Sequence, residues 1–213
     1  MKSTTLARLN WNIPTPYSDL YDDFYFSTDD GLAETEFVFL ERNQLTSRFN
    51  THMRSVFTIA ETGFGTGLNF LATWRSWRNS TTKNSLLHFI STERYPLTVA
   101  DPTKALNLWP EFSEFSSQLI EQYPVLTSGF HRINFNDDRI TLTRMFADTT
   151  ECYRQLNANV DAWFLDGFSP SKNPDIWTSE LFSQICPLSS PGTTFATFTC
   201  ARIVKKRTPM HGF

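Results

Sequence analysis

Cysteine is scarce in this chain of 213 residues: Cys152, Cys186 and Cys200 lie far apart, are odd in number and form no C-x-x-C pair. That excludes a disulfide framework and a thiol-pair redox or zinc motif, and leads to the expectation of reduced, buried thiols in a cytoplasmic protein. The four histidines, His52, His88, His131 and His211, are scattered without ligand spacing, so no metal is expected. Long apolar runs are lacking too. Nothing approaches the ~18 residues of a membrane span, and the N-terminal MKSTTLARLNWNIPTPYSD has no apolar stretch of the secretory type. Positive charge is in short supply, with 19 Lys+Arg against 22 Asp+Glu and a net charge of −3. A domain built mainly to grip nucleic acid is usually basic, so any such grip is left to a local patch or to another segment. The short run Lys205-Lys206-Arg207 reads first as a solvated end.

What is present is a globular composition. Hydrophobic residues make up 40%, with 20 Phe and 6 Trp, in a length suited to one domain. No internal repeat or low-complexity block stands out. Residues 1–55 read as an irregular aromatic and acidic extension packed on the core; Asp29-Asp30-Gly31 marks a turn, and Glu36–Leu40 fits a strand or a short helix.

From residue 56 the pattern becomes regular. SVFTIAE and LLHFISTE are buried-strand candidates, and Phe70, Leu71, Trp74 and Trp77 fall on one helical face. PLTVADPTKALNLW reads as a helical stretch interrupted by Pro102, and SEFSSQLIEQY as a helix stopped by Pro124. HRINFNDDRITLTRMFAD reads as a hairpin turning at Asn136-Asp137-Asp138. TECYRQL is a short helix, and VDAWFLDGF and TTFATFT are further strands. Strands alternating with helices predict a mostly parallel α/β sheet with both faces covered, in which ligands bind beyond the carboxyl ends of the strands. Glu61, Glu93, Asp148 and Asp166 all fall at those ends.

Three of only eight glycines cluster in AETGFGTGLNFLATW, at Gly63, Gly65 and Gly67. The third comes one residue too early for the dinucleotide fingerprint G-x-G-x-x-G, and the chain holds no G-K-[ST] tripeptide of a phosphate loop. A plain turn would also use glycines. The remaining reading is a strand-to-helix turn stripped of Cβ atoms so that a phosphate-free cofactor can lie against backbone. E-x-G-x-G-x-G resembles the first motif of class I S-adenosylmethionine-dependent methyltransferases, and that resemblance implies that Glu61, Gly63, Gly65, Gly67 and Asn69 belong to a cofactor site. Glu93 closes the next strand and suits two ribose hydroxyls, as an acid does at that place in dinucleotide folds. Asp148 suits either an adenine amino group or the N-cap of TTECYRQL, and the two roles are compatible.

Residues 160–182, VDAWFLDGFSPSKNPDIWTSELF, deliver Asp166 to the sheet edge ahead of a loop stiffened by Pro170 and Pro174 and flanked by Phe168 and Trp177. A structural β–α loop with Asp166 as a cap is one reading. The other is the loop of an amino-group methyltransferase, in which the acid and backbone carbonyls hold an amine beside an aromatic ring. Asp166 would then orient the amine and help pass its proton to solvent.

Together, YFSTDDGLAETEFVFLERNQL, AETGFGTGLNFLATW, LLHFISTERYPLT, VDAWFLDGFSPSKNPDIWT and TFATFTCA closely resemble the methyltransferase domain of the MnmC-type tRNA wobble-uridine enzymes. The resemblance implies a Rossmann-like class I methyltransferase sheet over residues 56–213, with residues 1–55 in the same structural domain. It implies S-adenosyl-L-methionine as cofactor and 5-aminomethyl-2-thiouridine in tRNA as substrate. It places Asp166 at the transfer site, Lys172 in the pocket or on RNA phosphate, and Phe168, Pro170 and Trp177 in the substrate loop. FAD is not expected in this chain, since in the two-domain form it belongs to a following oxidoreductase domain, a possible partner. Only about 14 residues follow the TTFATFT strand, with Arg202 and Pro209 among them, so the fold is expected to be truncated at its C-terminal end. The alternative expectation is an inactive fragment or a cofactor-binding module that needs a partner domain.

Overall fold

The computed structural model describes residues 4–12, 14–80 and 85–199. The expectations attached to Cys200, Arg202, Lys205–Arg207 and Pro209, and to a truncated end, lie outside the described residues.

The aromatic N-terminal segment forms a small antiparallel sheet of three two-residue strands, β1 (Leu9–Asn10), β2 (Tyr17–Ser18) and β3 (Asp23–Phe24). A five-residue helix, α1 (Gly31–Thr35), follows, capped by the Asp30 side chain, which accepts from the Ala33 N–H at 2.9 Å. Glu36–Glu41 then continues as a π-helical turn, a helical outcome for the segment that the sequence left between strand and helix. Helix α2 (Leu45–Thr51) completes the segment, with Leu45 and Phe49 fully buried.

Among the described residues the core is a six-stranded sheet of β4 (Val56–Thr62), β5 (Leu86–Thr92), β6 (Gly129–Phe135), β7 (Ile140–Phe146), β8 (Val160–Phe164) and β9 (Ser189–Ala196). The order across it is β6-β7-β5-β4-β8-β9, parallel throughout except for β6, which pairs antiparallel with β7. The central strands are near-continuous runs of β-branched and aromatic residues buried on both faces, as a covered parallel sheet requires. Helices α3 (Leu68–Arg78), α4 (Ala100–Leu106), α5 (Ser113–Glu121), α6 (Thr149–Arg154) and α7 (Ser179–Ile185) supply the cover.

Two hydrophobic clusters flank the sheet. One joins α2, α3 and α5 through Phe49, Phe70, Trp74, Phe89 and Phe115; the other joins α6 and α7 through Tyr153, Trp163, Trp177 and Phe182. Each fully buried ring of this size stabilises the fold by roughly 1.5–3 kcal/mol. The β6–β7 hairpin turns at Asn136–Asp138, and Asp138 ties it to α3. Its carboxylate accepts from Trp74 Nε1 at 2.7 Å and from the Arg78 guanidinium, and its carbonyl accepts from Trp77 Nε1 at 3.0 Å.

Two expectations need correction. Pro102 does not interrupt a helix; it sits in the first turn of α4, where its missing N–H has no intrahelical partner to lose. Cys186 is not a buried thiol. It is exposed where α7 runs into the short 3-10 turn Cys186–Leu188, while Cys152 on α6 is buried as expected.

The strand order fixes where a ligand belongs. The chain leaves β4 for β5 on one side and returns to β8 on the other. The switch point of the sheet therefore lies between β4 and β8, at their carboxyl ends.

Candidate functional site

At that switch point the turn after β4 meets the turn after β8. Gly63 and Gly167 both have positive φ, +120° and +122°, and a Cβ on Gly63 would lie 3.6 Å from the Gly167 Cα. A side chain at Gly167 would be strained by its φ, and its Cβ would have to displace the Ile176 Cδ1 methyl, 2.4 Å away, and crowd the Thr62 carbonyl at 3.2 Å. Thr62 Oγ1 donates to the Asp166 carbonyl at 2.6 Å and locks the two turns together. Gly67, at φ +91°, then starts α3.

A cavity of about 980 Å³ opens over these turns, at the upper end of the usual range for small-molecule sites. Gly63, Gly65, Asn69, Glu93, Asp148, Asp166 and Phe168 line it. Glu61, Gly67, Pro170, Lys172 and Trp177 do not, so the structure divides the sequence-derived residues into two groups.

Glu61 lies inside β4 with 1% exposure, and both its oxygens are engaged: Oε1 accepts from Asn69 Nδ2 at 2.8 Å and Oε2 from Ser91 Oγ at 2.6 Å. The same Asn69 nitrogen donates to Asp166 Oδ2 at 2.6 Å, and Asp166 Oδ1 accepts from the Gly167 N–H at 2.8 Å. One amide thus bridges two carboxylates, and Thr35 Oγ1 donates to Asn69 Oδ1 at 2.9 Å to fix its orientation. Burial, reinforced by the charge of Asp166, pushes the Glu61 carboxyl up to about 8. Burial pushes Asp166 up to about 6, against the lowering effect of the Gly167 and Asn69 donors.

Glu93 follows β5 and accepts from the Gly65 N–H at 3.1 Å and the Tyr95 N–H at 3.0 Å. Burial raises its carboxyl while these bonds and the charge of Arg144 oppose the shift. A carboxylate has about four acceptor positions, so Glu93 keeps capacity for a ligand. Asp148 caps α6, accepting from the Thr150 and Glu151 N–H groups at 3.0 and 3.3 Å, and lines the cavity as well. Carboxylates, exposed backbone and aromatic rings around a glycine-rich turn fit the nucleoside and cationic amino acid of S-adenosylmethionine.

The substrate-loop residues hold the far wall. Phe168 stacks on Tyr21 at 4.5 Å and meets Tyr25 edge-on at 5.2 Å. Trp177 is buried behind the loop and donates from Nε1 to the Phe168 carbonyl at 3.1 Å. Lys172 pairs with Asp22 at the surface, Pro170 is half-buried, and the Ser169 N–H donates to Asp23 at 3.4 Å. The N-terminal segment is therefore a wall of the site. Tyr21, Tyr25, Glu34 and Thr35 are not assigned to the site from the sequence, where the signals are the acidic turn at Asp29-Asp30-Gly31 and the resemblance of the segment that follows Asp23 and Phe24.

Sheet order, glycine turn and strand-end acids define a Rossmann-like methyltransferase fold. The crystal structure of MNMC2 from Aquifex aeolicus has the same fold, with a TM-score of 0.70 at 22% identity over 91% of this chain and 58% of its own. A family model described as S-adenosyl-L-methionine-dependent methyltransferase matches residues 110–213. The tRNA 5-methylaminomethyl-2-thiouridine biosynthesis bifunctional protein MnmC of Chromobacterium violaceum is 51% identical over 208 residues, 97% of this chain and 32% of that protein. The protein of the same name from Aeromonas hydrophila is 48% identical over 223 residues, 100% of this chain and 34% of that protein. The chain spans about a third of the length of the curated relatives it matches. It belongs to the S-adenosyl-L-methionine-dependent methyltransferase family, as a methyltransferase domain of the MnmC type.

Proposed function

We propose that this chain methylates the amino group of 5-aminomethyl-2-thiouridine at the wobble position of tRNA, giving 5-methylaminomethyl-2-thiouridine, in the cytoplasm and with S-adenosyl-L-methionine as donor. Residues 1–55 and 56–213 work as one structural unit, the first closing the site that the second builds. The observation that carries the reading is the meeting of Gly63 and Gly167, which sets Asp166 beside the glycine turn in one cavity.

When bound, the cofactor supplies an electrophilic sulfonium methyl. The backbone of Gly63 and Gly65, which line the cavity, would take its amino acid and ribose, with Gly67 shaping the entry to α3 and Glu61 holding Asn69 in place. Glu93 would accept from the ribose hydroxyls and Asp148 from the adenine amino group, both from the cavity wall. An alkylamine has a pKa near ~10, so the acceptor arrives protonated and must shed a proton before its lone pair can attack. Asp166 accepts a hydrogen bond from the amine, orients the lone pair and helps pass the proton towards solvent. Phe168 packs beside the base, Pro170 and Trp177 stiffen the loop, and Lys172 serves RNA phosphate. An FAD-dependent oxidoreductase domain or protein is the natural partner, because MnmC relatives are named as bifunctional.

The test is incubation with methyl-labelled S-adenosylmethionine and tRNA bearing the aminomethyl group. Label in the wobble nucleoside is expected. Cofactor binding without label would favour a binding module that needs a partner domain.

A further inference from the structure

Helix α1 carries the segment Asp30-Gly31-Leu32-Ala33-Glu34-Thr35, and most of its residues have a structural task. Asp30 caps the helix. Gly31 lies against Phe26, whose ring a Cβ would approach to 3.0 Å. Leu32 enters the core, and Thr35, 5% exposed, donates to Asn69. Glu34 is exposed and lines the cavity that Asp166 also lines. Two hydrogen bonds, Thr35 to Asn69 and Asn69 to Asp166, at 2.9 and 2.6 Å, fix the helix relative to Asp166.

We propose that Glu34 is the specificity-determining residue for the cationic amine, pairing with the aminomethyl ammonium of the nucleoside in the cavity it shares with Asp166. This rests on the reading of the site as an amine methyltransferase. The charge of Glu34 already reaches Asp166, whose carboxyl it raises, so a cation near Asp166 is within its field as well. Tyr21 and Phe168, stacked on each other, line the same cavity, and an aromatic pair there suits a cation better than a neutral group. The division of labour follows from exposure. Glu34, at the solvent side, captures the ammonium; Asp166, half-buried and held by Asn69, orients the nitrogen once it has lost its proton.

The experiment is equilibrium binding, by fluorescence anisotropy with S-adenosylhomocysteine present, of tRNA carrying 5-aminomethyl-2-thiouridine and of the same tRNA carrying 2-thiouridine. The wild-type protein is expected to prefer the amine by about tenfold, the scale of one charge-assisted hydrogen bond. Glu34→Gln should lose most of that preference without weakening the 2-thiouridine tRNA, and Glu34→Asp should keep part of it. In steady state, Glu34→Gln should raise KM for the modified tRNA with kcat little changed. A Glu34→Gln protein that keeps the full preference overturns the proposal, as does equal weakening of both tRNAs, which marks a structural role. Wild-type methylation without any amine preference removes Glu34 and leaves the methyltransferase reading standing. Amine preference without methylation does the reverse.

Discussion

Asn69 holds Asp166 through a 2.6 Å hydrogen bond from its side-chain amide, and the same nitrogen binds Glu61 at 2.8 Å. An amide offers two protons on one nitrogen, and here each satisfies a different carboxylate. Asn69→Ala leaves both acids without their shared donor inside the fold. A loss of stability of about 1–3 kcal/mol is expected, the scale of a lost buried hydrogen-bond donor, since Ser91 still serves Glu61 and the Gly167 N–H still serves Asp166. Urea denaturation at pH 7 measures it, and a midpoint within error of wild type would show that the bridge contributes nothing.

The Glu61 carboxyl sets a pH dependence of opposite sign to the usual acid. Its folded value, about 8, lies above the ordinary 4.5, so the folded state binds the proton more tightly than the unfolded one. The stabilising contribution is complete below pH ~4.5 and is lost as pH rises through about 8. Asp166, raised from 3.8 to about 6, acts in the same direction over a lower window. Glu61→Gln should therefore flatten the fall in stability between pH 5 and 8. Melting temperatures of both proteins across that range provide the comparison, and parallel curves would remove Glu61 as the cause.

Much of this arrangement is legible in the chain itself because it is local. The apolar run into Gly63, the acid closing β5 and the Asp-Gly turn after β8 are each read within ten residues, and parallel α/β topology gathers such strand ends at one edge. The partners of Glu61 are a different matter. Ser91 and Asn69 meet it from another strand and from a helix, so nothing in its own segment says that it faces inward. Tyr21 stacks on Phe168 and Asp22 pairs with Lys172 across some 150 positions. Their own stretch reads only as irregular and aromatic, since two-residue strands carry no usable period.

Arg144 is a buried cation with few polar partners. It is 0% exposed, and among the described residues its Nε and Nη1 have no hydrogen-bond partner. Its guanidinium lies over the rings of Phe64, Tyr123 and Phe146 at 4.1, 4.7 and 4.8 Å. Phe64 belongs to the glycine turn, and the charge of Arg144 helps keep Glu93 ionised. Arg144→Met keeps the volume and removes a desolvated charge, so stability should stay within about 2 kcal/mol of wild type. Affinity for S-adenosylhomocysteine should nevertheless fall several-fold, about 3–10-fold, as Glu93 loses a nearby cation. Thermal melting and calorimetric titration on the same variant separate the two effects; a collapse of both would assign Arg144 to folding alone.

Asp166→Asn tests the transfer site most directly. Asparagine keeps the size of the side chain and one oxygen to accept from Asn69, while its amide nitrogen cannot accept from the Gly167 N–H; the bond from Thr62 to the backbone carbonyl at position 166 still holds the turn after β8, so the cavity should survive. What disappears is a carboxylate whose value, pushed up to about 6 by burial, lets it exchange a proton near neutral pH. Turnover on aminomethyl tRNA should fall ~10²–10⁴-fold, the usual scale for acid–base and positioning groups, with S-adenosylhomocysteine affinity nearly intact. The wild-type rate should also rise as pH increases through about 6, where Asp166 ionises, and the variant should lack that step while keeping the rise that comes from the amine itself. Equal rates for the two proteins across pH 5–9 would take Asp166 out of the chemistry and leave it as a brace for the Gly63–Gly167 contact.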